Sequence, residues 1–416
     1  MLYPRTERQK RFVQVARNLA PIFQARAAQH DREGTFPHEN FADIRAAGLP
    51  ALIIPKEFGG WGADLLEAML TMEALGAGDG STALSFVMHV QVLGAVVESR
   101  SWPEALFAQV CRDAVERGAL INAVATEPRL GSPSRGGLPD TTADPFYATG
   151  SQDASGEPDA WLINGRKSFA SLSPELDYFV VPAALQDGSG HVARFVIPAG
   201  EHVRIIETWD SLGMRSTGSH DIEFINARVD ASQMLGRGGP EVGDPARATH
   251  NAWFALTVSA VYLGVAQAAL DYAAQYAQER TPTALGKPIA SLEGIQRRLG
   301  QADLLITQAR ALIYGVAQEW SEQPESRAAL SPFVVAAKVT ATNNAIEAVD
   351  HCLRVVGGSS MNRSLPLERY FRDVRPGIFH PLNDDQALTM FGRIALQRVA
   401  DGQTTPESSN SNPVTA

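Results

Sequence analysis

Cysteine is almost absent from this chain of 416 residues: Cys111 and Cys352 are the only two, and they lie far apart. That excludes a disulfide framework and a Cys-rich zinc site, and it suits a reducing compartment. Positive charge is outnumbered, 36 Lys and Arg against 46 Asp and Glu, for a net charge of −10. On that balance nonspecific binding to nucleic acid or to an anionic membrane is disfavoured. No apolar run approaches the ~20 residues that span a bilayer. The N-terminus, MLYPRTERQKRF, lacks the apolar core of a signal peptide, and internal repeats are missing. What remains is 44% apolar and 20% charged, an ordinary globular composition in a chain long enough for two or three domains. The expectation is a soluble, cytoplasmic protein without nucleic-acid or membrane partners.

Residues 1–119 read as helical. Phe12, Val15, Leu19 and Phe23 recur at helical spacing, and the break Gly76–Ser81 precedes an apolar helix from Thr82 to about Val97. His89, inside that helix, reads as a satisfied core residue. From 120 to 238 the pattern changes to short strands: Leu120–Ala125, Thr141–Ala143, Phe146–Gly150, Ala160–Ile163, Tyr178–Ala183, Val192–Pro198, Val203–Glu207 and Ser219–Ile225. Asn164-Gly165 predicts a hairpin turn before Lys167–Ala170. This segment is expected to form a β-barrel or sandwich. From 239 to 400, long helices over Phe254–Gln278, Glu293–Glu319 and Pro332–Val355 predict a helical bundle. The polar tail 401–416 is expected to be disordered. The fold class is therefore α+β: an all-α domain, a β domain, and a four-helix bundle.

Two stretches carry candidate chemistry. The loop Gly131–Gly137 offers hydroxyls, backbone N–H groups and Arg135 to an anion or a polar ring edge. The stretch Arg354–Asp385 opens on Gly357-Gly358, where backbone can approach a ligand closely. It continues through an amphipathic helix over Leu367–Asp373, breaks at Pro376-Gly377, and delivers His380, Asp384 and Asp385. A histidine beside carboxylates can transfer protons near neutral pH. The same residues also fit a surface turn with Asn383 or Asp384 starting a helix.

The motifs resemble those of the acyl-CoA dehydrogenase superfamily over about residues 5–398. Ala125–Ser132 looks like its TEP-x-x-GS loop, which holds the flavin ring and the substrate thioester. Asn164–Ser171 looks like NG-x-K-x-W-x-T. Leu212–Thr217 resembles LG-x-R-x-T, Glu279-Arg280 with Gly286-Lys287-Pro288 resembles the adenine-side loop, and Gly357-Gly358 and Arg372-Asp373 match the GG and RD landmarks. The resemblance implies FAD, with FMN left open, bound between subunits of a dimer or tetramer. It places Thr126, Ser132, Phe169, Ser171, Arg280, Arg354, Gly357 and Gly358 at the cofactor. Phe169 is then the aromatic beside the flavin and Ser171 the hydroxyl on flavin N5. Ser132, Ser134 and Arg135 fall at the substrate.

Departures bear on the reaction. The family's catalytic glutamate, nine residues after the Arg of RD, falls at Pro381, and its alternative position on the first long bundle helix falls at Phe254. Arg354 replaces a glutamine, and Glu293 replaces another. His380, one residue before the missing base, resembles the histidine of the flavin monooxygenases that share this fold. Three readings follow. Dehydrogenation of an acyl thioester would use His380, Asp384 or Asp385 as base and pass electrons to an electron-transfer flavoprotein. A two-component monooxygenase would receive reduced flavin from a reductase and form a C4a-hydroperoxyflavin. The third is a flavin- or acyl-binding homologue without turnover. Dehydrogenation is the leading expectation.

Overall fold

The structure, a computed structural model, describes residues 3–129, 137–147, 157–238 and 247–401. Ser132, Ser134 and Arg135 lie outside the described residues, as do the end of the strand expected over Phe146–Gly150 and the tail beyond Asp401. The chain opens with α1 (Glu7–Glu33), α2 (His38–Ala46), α3 (Leu65–Gly78), α4 (Gly80–Ser99) and α5 (Glu104–Glu116). At the start of α1, Thr6 and Gln9 satisfy each other's backbone N–H groups. The Gly76–Ser81 break is narrower than its glycines suggest, because α3 continues to Gly78 and Asp79 alone separates it from α4. Asp79 caps α4 by accepting the Thr82 N–H at 3.0 Å.

The strands are β1 (Ile121–Ala123), β2 (Thr142–Phe146), β3 (Ala160–Ala170), β4 (Tyr178–Leu185), β5 (Val192–Pro198), β6 (Val203–Ile206), β7 (His220–Asp230) and β8 (Met234–Gly238). They form one connected sheet in the order β6-β7-β3-β2-β4-β5-β8, with β1 pairing on β4. Asn164-Gly165 is not a hairpin turn, contrary to the sequence expectation. β3 runs straight through it, paired with β7, and the register slips between Ile163 and Gly165. The dipeptide forms a β-bulge because both residues are engaged across the sheet. Asn164 accepts from the Asn226 N–H at 2.8 Å, and a Cβ on Gly165 would lie 2.7 Å from Thr141 Cα. One sheet face receives the first helices: Val92 and Val96 of α4 and Leu106 of α5 share a core with Val180 and Val196.

The last third comprises α6 (Arg247–Glu279), α7 (Glu293–Glu322), α8 (Arg327–Val356), α9 (Leu367–Asp373) and α10 (Asp384–Ala400). α6 is central, packed by α3, α4, α7 and α8. Two helices correct the bilayer argument. α4 and Asn251–Glu279 of α6 are long and apolar enough to cross a membrane by composition, yet 94% and 83% of their most apolar stretches are buried inside the protein. Their apolarity builds the core. His89 is part of it: Nε2 lies 2.9 Å from the Pro50 carbonyl, Nδ1 accepts the Ile121 N–H, and burial lowers its pKa to about 4. Both cysteines are buried free thiols pushed up to about 12 by desolvation.

Candidate active site

On the sheet side, the site is assembled by a buried ion pair that unites two distant motifs. Lys167 Nζ lies 2.6 Å from Glu127 Oε1, and both side chains are fully buried. Glu127 also accepts from the Asp140 and Thr141 N–H groups and the Thr141 hydroxyl, while Lys167 donates to the Pro182 carbonyl at 2.8 Å. Desolvation pushes Glu127 up, but Lys167 and these donors outweigh it and hold the carboxyl below its ordinary value. With every acceptor met, the pair locks the 125–128 turn against β3, and the Ser168 N–H donates to the Thr126 carbonyl at 2.8 Å. Thr126, Phe169 and Ser171 are thereby brought together. Phe169 has φ of +56° and is 64% exposed, edge-on to Trp209 at 5.9 Å, so a bulky residue holds strained backbone to present its ring. Asn122 donates to the Ser171 carbonyl at 2.9 Å, and its buried Oδ1 has no hydrogen-bond partner among the described residues. An exposed ring with a hydroxyl two residues on fits a flat, polar-edged aromatic ligand such as a flavin.

The second cluster forms where α6, α8 and α10 meet. The Arg375–Phe379 turn ends at His380, whose ring packs on Phe254 and Tyr262 of α6, each at 5.7 Å between centroids. The Tyr262 hydroxyl lies 2.7 Å from His380 Nε2. Burial, and then the charge of Lys338, lower His380 to about 4, although part of the residue remains at the surface. Burial raises Tyr262 well above its ordinary value, so the phenol keeps its proton and donates it to Nε2. The imidazole is then neutral, with its own proton on Nδ1. Lys338 is 1% exposed, and its Nζ has no hydrogen-bond partner among the described residues. Its nearest carboxylate oxygen, Asp384 Oδ1, is 3.6 Å away and also unpartnered. Asn343 donates to the other oxygen of Asp384 at 2.8 Å. Asn383 caps α10 by accepting the Gln386 N–H at 3.0 Å, and Asp385 is exposed in the first turn.

The remaining cofactor candidates lie elsewhere. Arg280 follows α6, Arg354 is in the last turn of α8, and all of Arg280, Arg354, Gly357 and Gly358 are exposed. From Tyr262 to Arg280 along α6, and from Lys338 to Arg354 along α8, is about 25 Å at 1.5 Å per residue. A Cβ on Gly357 or Gly358 would meet nothing within 4 Å, so that end of the bundle is open.

The RD landmark is a joint. Arg372 pairs with Asp31 of α1 and Glu368 of α9, and it donates to the Leu212 carbonyl at 3.0 Å. Asp373 accepts the Met214 N–H at 2.6 Å, and a Cβ on Gly213 would lie 2.2 Å from the Arg372 carbonyl oxygen. Arg215 donates to the Asp31 carbonyl at 2.8 Å. The LG-x-R-x-T and RD motifs thus hold the sheet, α1 and the bundle in register.

Profiles of the acyl-CoA dehydrogenase N-terminal, middle and C-terminal domains match residues 6–100, 124–227 and 256–384. The chain belongs to the acyl-CoA dehydrogenase family. YdbM of Bacillus subtilis, provisionally named an acyl-CoA dehydrogenase, is 38% identical over 387 residues, covering 93% of this chain and 97% of YdbM. Dibenzothiophene monooxygenase of Rhodococcus erythropolis is 28% identical over 392 residues, covering 88% and 89% of the two chains. The structure of KijD3 in complex with FMN and a dTDP-amino-keto sugar superposes with a TM-score of 0.78 at 27% identity, covering 98% of this chain and 97% of KijD3.

Within this acyl-CoA dehydrogenase family fold, the residues that sequence reasoning missed are Asn122, Tyr262 and Lys338. Tyr262 carried a signal, since it lies two helical turns beyond Phe254 and so on the same face of α6. Lys338 did too, as the one charge in the apolar run Phe333–Val339. Asn122 carried none.

Proposed function

We propose that this family member is the oxygenase component of a two-component flavin monooxygenase acting on a small hydrophobic molecule. One observation carries the reading: the two positions where the family places its catalytic base hold Pro381 and Phe254, and between them stands a neutral histidine donor. An imidazole with a pKa near 4 is a poor base for the α-proton of a thioester. A neutral imidazole that carries its proton on Nδ1, braced by Tyr262, is suited to hydrogen-bonding negative charge that develops on dioxygen. The flavin, when bound and reduced, supplies two electrons, so that one oxygen atom enters the substrate and the other leaves as water. Thr126, Phe169 and Ser171 would hold its ring. FAD is the form the motifs imply and FMN the form bound by KijD3; titration with each separates them.

Reduced flavin would come from a separate reductase. Because Arg280, Arg354 and the glycine pair lie about 25 Å along the bundle helices from His380, we assign them to the flavin of a neighbouring copy, in a dimer or tetramer. The test is to mix anaerobically reduced flavoprotein with O2. Reoxidation in two resolved phases, collapsing to one in His380→Ala, is expected. Single-phase reoxidation, with bleaching of the oxidised flavin by an acyl-CoA panel, would instead establish thioester dehydrogenation, for which the resemblance to YdbM speaks. An electron-transfer flavoprotein would then be the redox partner.

A further inference from the structure

Ser171 is the outer end of a chain of three hydroxyls. Its Oγ lies 2.7 Å from Ser219 Oγ, which lies 2.6 Å from Thr217 Oγ1, which lies 3.0 Å from the Met214 carbonyl oxygen. Ser219 and Thr217 are buried, while Ser171 is half-buried beside Phe169. Each hydroxyl has one hydrogen and can accept from one neighbour while donating to the other. The chain therefore has two complete arrangements. In one, Thr217 donates to Met214, Ser219 to Thr217 and Ser171 to Ser219, and the Ser171 oxygen presents a lone pair outward. In the other, all three turn around, and Ser171 presents its proton outward.

The inner end makes the two nearly equivalent. When Thr217 turns away, the Met214 carbonyl is not orphaned, because the Trp209 indole N–H also donates to it at 3.0 Å. Backbone contacts keep the oxygens in place in both arrangements: Asn122 holds the Ser171 carbonyl, and the Thr217 carbonyl accepts from the Leu172 N–H at 2.9 Å and the Ser85 hydroxyl at 3.0 Å.

We propose that Ser171, Ser219 and Thr217 form a reversible hydrogen-bond chain that lets one site hold both oxidation states of the flavin. The inference rests on the placement of Ser171 at flavin N5. That nitrogen accepts a hydrogen bond when oxidised and donates one when reduced, and the chain matches each by rotating three hydroxyls. No proton leaves its oxygen, and no net charge moves. Ser219 and Thr217 are positioning residues, acting through Ser171.

The test is a comparison of dissociation constants for oxidised and for anaerobically reduced FMN and FAD, with no turnover involved. In Ser219→Ala the Ser171 proton has no inner acceptor and turns outward, so the ratio of reduced to oxidised dissociation constants rises about fivefold, the worth of one net hydrogen bond. Thr217→Val shifts the ratio the same way, because Ser219 must then donate to Ser171. Ser219→Thr keeps the wild-type ratio. A ratio within twofold of wild type in both Ser219→Ala and Thr217→Val, with Ser171→Ala raising both dissociation constants, overturns the chain and leaves Ser171 at the flavin. Dissociation constants for both oxidation states unmoved in Ser171→Ala as well overturn the placement and the chain together. Thermal melting identifies a misfolded variant, and the other inner variant then decides.

Discussion

Two lysines are buried among the described residues, and they are treated in opposite ways. Lys167, under the sheet side of the site, meets Glu127 at 2.6 Å and the Pro182 carbonyl at 2.8 Å. Lys338, on α8, is 1% exposed, has no hydrogen-bond partner among the described residues and stands 3.6 Å from its nearest carboxylate oxygen. Desolvation lowers both below the ordinary lysine value. A buried charge is tolerable when its partners are complete and costly when they are not. The sheet side therefore reads as a framework, whose buried polar groups meet each other. The bundle side keeps unspent polar capacity next to His380, as a site for a ligand would.

Breaking the complete pair should have the largest effect. Lys167→Met leaves Glu127 buried and unpaired and should cost ~3–5 kcal/mol, read as a lower denaturant midpoint. Adding Glu127→Gln should recover part of that loss. If Lys167→Met alone is as stable as the wild type, the pair is not the framework.

A second effect comes from acid. The folded value of His89 is about 4 against an ordinary 6.5, so its contribution is present above 6.5 and is lost as pH falls from 6.5 to 4. The loss is about 3 kcal/mol. Stability measured across that window should fall less steeply in His89→Gln, and equal slopes would refute the assignment.

Gly213→Ala comes next, at about 1–3 kcal/mol, because its Cβ meets the Arg372 carbonyl and pries the sheet from the bundle. Melting and flavin retention should fall together.

Lys338→Met should have the smallest effect on folding, a change of about 1 kcal/mol in either direction, since the one ion pair lost, to Asp384, is long at 3.6 Å and the lysine's burial cost is relieved with it. It should raise the His380 pKa, because the lysine charge is one of the two causes lowering it. NMR titration of His380 checks this. A folding loss as large as that of Lys167→Met would make the two lysines equivalent and remove the contrast.

The helices, most strands and the three-part order are legible from the chain because periodicity and Gly/Pro breaks are local. So are the motifs carrying the family resemblance. Asn164-Gly165 shows where local reasoning stops: the dipeptide suits a tight turn, but Asn226 and Thr141, distant in sequence, make it a bulge inside β3. α4 and α6 show the same limit, since their apolarity is a sequence property while its use in a core depends on what packs around them.

Sequence by itself determined that this is a flavoprotein fold of the acyl-CoA dehydrogenase family and that His380 directly precedes Pro381, a residue that cannot act as a base. Only the tertiary structure decided that Glu127 and Lys167 close on each other, that Tyr262 braces a neutral His380, that Lys338 is buried with only a long ion pair to Asp384, and that three hydroxyls line up behind Ser171. The reason is physical. Protonation, satisfaction and strain depend on what surrounds a group in space, and those neighbours come from elements far apart along the chain.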